Sequence, residues 1–200
     1  MRSVPKKIFF VIALLMLCSM LASCTNNTIQ AVKLTKDQEE LLRLTDTPST
    51  ISILDYHVDA SYQSMVLSCK TYTDGEWSED PLCYGALDDH TGRFSIIIDK
   101  DKDEIKLVVK DNGCYSHLSH ALPEAFNDTG CIYGTLQGSK PIVEDAESML
   151  AYQVYSNDPI PVIDMTNSFD PSLFKDYDHA VVVYCTFSKE SVDVLMEAQE

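Results

Sequence analysis

The stretch "GRFSIIIDKDKDEIKLVVKDN", residues 92–112, decides the fold class, because both of its apolar halves repeat every second residue. Phe94, Ile96 and Ile98 share one side of the first half, and Ile105, Leu107 and Val109 share one side of the second. Lys106 and Lys110 fall on the other side, where a further charge should be tolerated. A period of two with charged alternates is the pattern of an antiparallel hairpin with one wet face. "KDKD" joins the halves, and Asn112-Gly113 ends the second.

The same period extends outward. "ISILDYHV", residues 51–58, sets Ser52, Leu54, Tyr56 and Val58 against Ile51 and Ile53, and "SMVLSCKTY", residues 64–72, turns Met65, Leu67 and Cys69 to one face. "DASYQ" between these runs reads as a hairpin connection, and Asp74-Gly75 is a strong hairpin-turn signal. "HAVVVYCTF", residues 179–187, is apolar on both faces and so reads as a central strand with cover on each side. Residues 143–155 fit two readings. "SMLAYQVY" suits a strand, whereas Val143, Ala146, Leu150 and Val154 suit a helix.

Helical signals sit near the ends. In "LTKDQEELLRLTD" Thr35 and Gln38 form a capping box ahead of a Leu41, Leu42, Leu44 stripe. Near the C-terminus, Ser188 is placed to cap an amphipathic helix using Val192, Leu195 and Met196. Residues 114–140 are less regular, and Asp170-Pro171 starts one helical turn in a long loop. The expected fold is mainly β: an antiparallel β-sandwich-like domain with short N- and C-terminal helices over residues 34–200. The alternative is a single α+β sheet with peripheral helices.

The chain opens with Arg2, Lys6 and Lys7, then runs apolar from Ile8 to Leu17, with no acidic residue before Cys24. That is the layout of a secretory signal peptide, and it falls short of the roughly 20 apolar residues a membrane span needs. The segment ends Leu21-Ala22-Ser23-Cys24, which resembles the lipobox of bacterial lipoproteins. The resemblance implies diacylglycerol transfer to the Cys24 thiol and cleavage after Ser23. It implies a cleaved signal peptide over 1–23, a lipidated spacer over 24–33 and a domain held at the cell membrane on its extracytoplasmic side. Two acyl chains at about 0.8 kcal/mol per buried methylene hold stably where one holds marginally.

The rest of the chain is acidic. The full sequence carries a formal charge of −16; without residues 1–23, twelve Lys and Arg face thirty-one Asp and Glu, giving −19. Such a balance argues against nucleic acid and against an electrostatic grip on anionic lipid. Besides Cys18 and Cys24 there are five cysteines, an odd number, so at least one thiol is unpaired. Cys69 and Cys185 alternate with aliphatic residues and read as core; Cys114–Cys131 closes a short loop and is the bridge to expect, if one forms.

Sites of chemistry are few. "DKDKDE", residues 99–104, begins like a calcium loop, but Glu104 and Lys110 stand where an EF-hand needs Gly and Glu, and a solvated turn explains its charges. "CYSHLSH" offers Cys114, His117 and His120, which zinc accepts if the segment coils tightly; in a strand His117 points away from the other two. A fourth ligand would be Cys131 or Glu124. Gly-x-Ser-x-Gly and His-Glu-x-x-His boxes are absent, and Cys83 near His90 and Asp88/Asp89 is proximity only. Tyr56, Tyr62, Tyr72, Trp77 and Tyr84 are either sheet packing or a stacking surface for a glycan or protein. The expectation is a membrane-tethered, non-catalytic binding or envelope-interaction module that needs no cofactor. It reaches the membrane through the lipid on Cys24, takes a protein or glycan partner and binds no nucleic acid. The alternative is a metal-dependent enzyme or metal-carrying lipoprotein built on Cys114, His117 and His120.

Overall fold

The computed structural model describes residues 27–44, 50–99, 104–111, 114–122, 131–156, 163, 165 and 169–198. Residues 1–26, where the signal peptide and lipobox are expected, Asp101 to Asp103, Asn112-Gly113 and Glu124 lie outside the described residues.

The alternating runs form strands whose apolar sides face one another across two antiparallel sheets. Sheet A has six strands: β1 (Thr28–Ala31), β2 (Thr50–His57), β5 (Thr91–Asp99), β6 (Glu104–Asp111), β7 (Cys114–Ala121) and β9 (Ser139–Pro141). They lie in the order β7-β6-β5-β2-β1-β9. Sheet B has five: β3 (Ser64–Thr73), β4 (Glu76–Ala86), β8 (Cys131–Thr135), β10 (Ser148–Tyr155) and β11 (His179–Ser188), in the order β4-β3-β11-β10-β8. The fold is an antiparallel β-sandwich, the first of the two expected architectures. Among the described residues two short helices accompany it, α1 (Lys36–Leu44) and α2 (Val192–Glu197).

The deciding hairpin has the expected register. Phe94, Ile96 and Ile98 oppose Val109, Leu107 and Ile105, and all six are buried. Leu54, Tyr56, Leu67 and Cys69 join the same core. Asp74 and Gly75 both have positive φ (54° and 87°), the two-residue turn geometry that suits twisted strands, and they join β3 to β4. The capping box also forms: the Thr35 N–H donates to Gln38 Oε1 at 2.9 Å and the Gln38 N–H donates to Thr35 Oγ1 at 3.3 Å.

Three expectations are corrected and one open choice is settled. The spacer over 24–33 is interrupted by β1, where fully buried Ile29 opposes Tyr56 on β2 and Lys140 on β9. "DASYQ" is no hairpin, because β2 and β3 belong to different sheets. Residues 148–155 are the strand β10, with every position buried, so periodicity could not separate the two readings. The C-terminal helix has Ser191 at its N-cap position, with no side-chain capping bond, and Ser188 ends β11.

Strand β11 lies between β3 and β10 and is covered on both faces, as its sequence requires. Its inner face meets sheet A. Over its outer face runs the segment after β10, from which Ile163, Met165, Phe174 and Tyr177 are buried. Asp170 starts a 3-10 turn there, its carboxylate accepting from the Ser172 N–H at 2.9 Å. The middle of sheet B, β10 and β11, is therefore buried on both sides, its margins β4 and β8 keep exposed positions, and the outer face of sheet A is wet.

The chain crosses between sheets at β2–β3, β4–β5, β7–β8, β8–β9 and β9–β10. At β8–β9 it passes through Leu136 to Gly138, where the Gly138 carbonyl accepts from the Ala31 N–H at 2.7 Å. The loops at one end of the sandwich are joined by backbone hydrogen bonds: Gln63 N–H to Ser188 O, Leu87 N–H to Gln63 O, Val58 N–H to His90 O, and Asp145 N–H to Phe187 O. Asn27 belongs to this end, its carbonyl accepting from the Ile142 N–H at 2.8 Å.

Candidate functional site

A polar cleft of about 510 Å³ opens where the wet face of sheet A meets the Asn27 end, lined by Asp55, Tyr56, Asp89, Thr91, Arg93 and Lys110. Register explains the grouping, since Asp55 opposes Arg93 on β5 and Arg93 opposes Lys110 on β6. Arg93 forks onto Asp55, with Nε to Oδ1 at 2.5 Å and a second guanidinium nitrogen to Oδ2 at 2.9 Å. The pairing holds the guanidinium above its ordinary pKa, mainly through the hydrogen bond to Asp55. Lys110 lies exposed, 5.7 Å from the Tyr115 ring centroid. A fork already closed leaves Lys110 and Asp89 as the cleft's available charges, which suits a polar, hydrogen-bonding partner more than an apolar one.

The structure does not bring the zinc trio together. Cys114, His117 and His120 all lie on β7, and strand alternation sends His117 to the side opposite His120. His117 is exposed on the wet face, whereas His120 opposes buried Ile105 and points between the sheets. There its Nε2 is 3.9 Å from Asp80 Oδ2 on β4, beside a small gap lined by Leu82, Ile105, Leu107 and Leu118. Among the described residues no group of three or more His, Cys, Asp or Glu is placed to hold a metal ion.

The candidate bridge fails on topology. Cys131 is a free thiol on β8, at one margin of sheet B, and Cys114 sits on β7, at the opposite margin of the sandwich. Cys83 faces Leu67 across the β3–β4 ladder, while Asp88 and Asp89 are exposed beyond the end of β4. Cys69 and Cys185 are core residues, as their alternation indicated. Burial pushes the Cys69 thiol up to about 12 and raises Cys185 as well. Both should resist an alkylating reagent at pH 8 in the native protein and react once it is unfolded, as mass spectrometry would record. Modification of either in the native state would contradict their placement. Because the fold keeps both thiols neutral, while an unfolded thiol ionises near 8.5, their stabilising effect is complete below that pH and is lost as pH rises toward 12.

Tyr56, Tyr62, Tyr72 and Trp77 pack instead of forming an exposed platform, and Tyr84 is half-buried on β4. Tyr56 and Tyr62 are buried against Phe187. Tyr72 opposes Trp77 across β3–β4, and Trp77 meets Phe169 and Phe174 edge-on at 5.2 and 5.4 Å between centroids. Sequence reasoning missed the cation beside this group. Lys70 Nζ lies 4.7 Å from the Phe169 ring and 4.6 Å from the Tyr184 ring, and donates to Glu147 Oε1 at 2.6 Å. The Tyr184 hydroxyl donates to Glu79, and burial raises its pKa. The arrangement pins the covering segment to sheet B.

Compared with protein-family models, curated proteins and solved structures, the chain matches none. The class it defines is therefore structural: an antiparallel two-sheet sandwich of six and five strands with one outer face covered.

Proposed function

We propose that the chain is a lipid-tethered extracytoplasmic module that binds a partner in the envelope and catalyses no reaction. The observation that carries the tether is the basic, then apolar leader ending in Leu21-Ala22-Ser23-Cys24. Two features of the fold support binding. The outer face of sheet A is the broad wet face, and the cleft around Lys110 and Asp89 opens on it. The partner is a protein or glycan presenting hydrogen-bonding groups there. A charge of −19 after the leader disfavours nucleic acid.

Cys24→Ser should shift the protein from the detergent phase to the aqueous phase on phase partitioning, or leave it unprocessed, with the domain folded. Equal partitioning of mature wild type and mutant would reject the lipid anchor.

A further inference from the structure

We propose that the loops at the Asn27 end of the sandwich lie against the bilayer that holds the lipid on Cys24. The inference rests on the lipid-anchor reading and concerns how the domain stands once anchored. Covalent geometry carries most of it. Three Cα–Cα steps separate Cys24 from Asn27, so these two α-carbons are at most about 11 Å apart. Asn27 is held to the domain on two sides. Its carbonyl accepts from the Ile142 N–H, and its side chain makes two hydrogen bonds to the next loop: Nδ2 donates to Asp59 Oδ2 at 3.0 Å while Oδ1 accepts from the Asp59 N–H at 2.7 Å. Ser61 also donates to Asp59, through its N–H at 2.8 Å and its hydroxyl at 2.5 Å. These donors, Ser61 first, hold the Asp59 carboxylate down at about 2, so the clamp stays charged until strongly acidic pH.

The clamp belongs to a plate of loops joined to one another by backbone hydrogen bonds. Residues 58–63 bond to Leu87 and Ser188, Val58 bonds to His90, and Asp145 bonds to Phe187. An anchor within about 11 Å of Asn27 therefore brings the whole plate to the membrane surface. Charge opposes this on an anionic bilayer, because Asp59, Asp88, Asp89, Glu144 and Asp145 all lie at this end. The tether, not attraction, sets the orientation. The Asp74-Gly75 turn and Trp77 then point away: β3 runs from Ser64 to Thr73, about 30 Å at 3.3 Å per residue.

Trp77, the single tryptophan, is a ready reporter of the far end. The lipidated protein would be reconstituted into phosphatidylcholine vesicles containing a lipid with a nitroxide on its headgroup, and flotation would establish anchoring. Wild-type emission should be unchanged by the nitroxide. Ala60→Trp and Asp88→Trp, on two exposed loops of the plate, should each lose the emission that the added tryptophan contributes. Inserting twelve Gly and Ser residues after Asn26 should abolish that loss without affecting flotation. Failure to float would reject the anchor itself. Flotation with Trp77 quenched, with both added tryptophans unquenched, or with quenching that survives the insertion would overturn the proposed orientation and leave the anchor standing.

Discussion

Ile96→Asp is expected to unfold the domain or bring it close to unfolding, whereas Ile97→Asp leaves it folded. Ile96 is 1% exposed and faces Leu107 within the core. Burial of an aliphatic side chain of this size contributes about 1.5–3 kcal/mol. A carboxyl placed there without a partner adds a further cost of about 2–7 kcal/mol. Together these rival the typical total stability of about 5–15 kcal/mol. Ile97, one residue on, is half-buried on the wet face and opposes Lys106, so the same substitution costs about 1 kcal/mol. Denaturant melts compare the two directly, and equal stability would disprove the register. Lys106 itself is a poor control, contrary to the tolerance its position in the pattern suggests. Its Nζ lies 3.1 Å from Asp99, whose side chain is only 8% exposed, and 3.2 Å from Glu104. An aspartate at 106 would leave three carboxylates together.

Gly134→Ala is expected to cost about 1–3 kcal/mol, as overpacking a tight site does. Gly134 opposes Tyr152 across β8–β10, and a Cβ at this position falls inside the van der Waals envelope of Tyr152 Cε1 and the ring atoms beyond it. The ring has little room to yield. Tyr152 is buried, packs edge-on against Phe174, and its hydroxyl accepts from the Ile163 N–H at 3.2 Å. The same contact recurs at Gly92 beneath Tyr56. Tyr152→Leu should lower stability alone but cost less in the Gly134→Ala background, so a double-mutant cycle reads the clash as non-additivity. Additive losses would show that Gly134 is needed for something other than the ring.

Strands with one wet face were legible because burial on one side only leaves a period of two. That held for β2, β5 and β6, and a run apolar on both faces marked β11 as central. The margins were not legible. β4 carries Glu76, Glu79, Asp80 and Pro81 along a free edge, features that discourage pairing with another chain and also obscure a strand. β7 reads "CYSHLSHA", with Tyr115, His117 and Ser119 exposed, and it was this polarity that suggested a metal site. β1 and β9 are short and draw their regularity from each other and from β2, which no local pattern records. The cleft was equally hidden. Asp55, Arg93 and Lys110 look like ordinary surface charges until two registers bring them side by side.

The five crossings between the sheets bear on how such a chain reaches its folded state. Neither sheet is built from one continuous piece of sequence: Thr28 waits for Pro141, and Ser64 waits for Ser188. Pairings this distant make folding slow, since long loops must close before their contacts form. A chain synthesised N-terminus first can complete sheet A only once β9 is present and sheet B only once β11 is. A protein truncated before β11 would keep every strand of sheet A but lose the strand that joins β3 to β10 in sheet B.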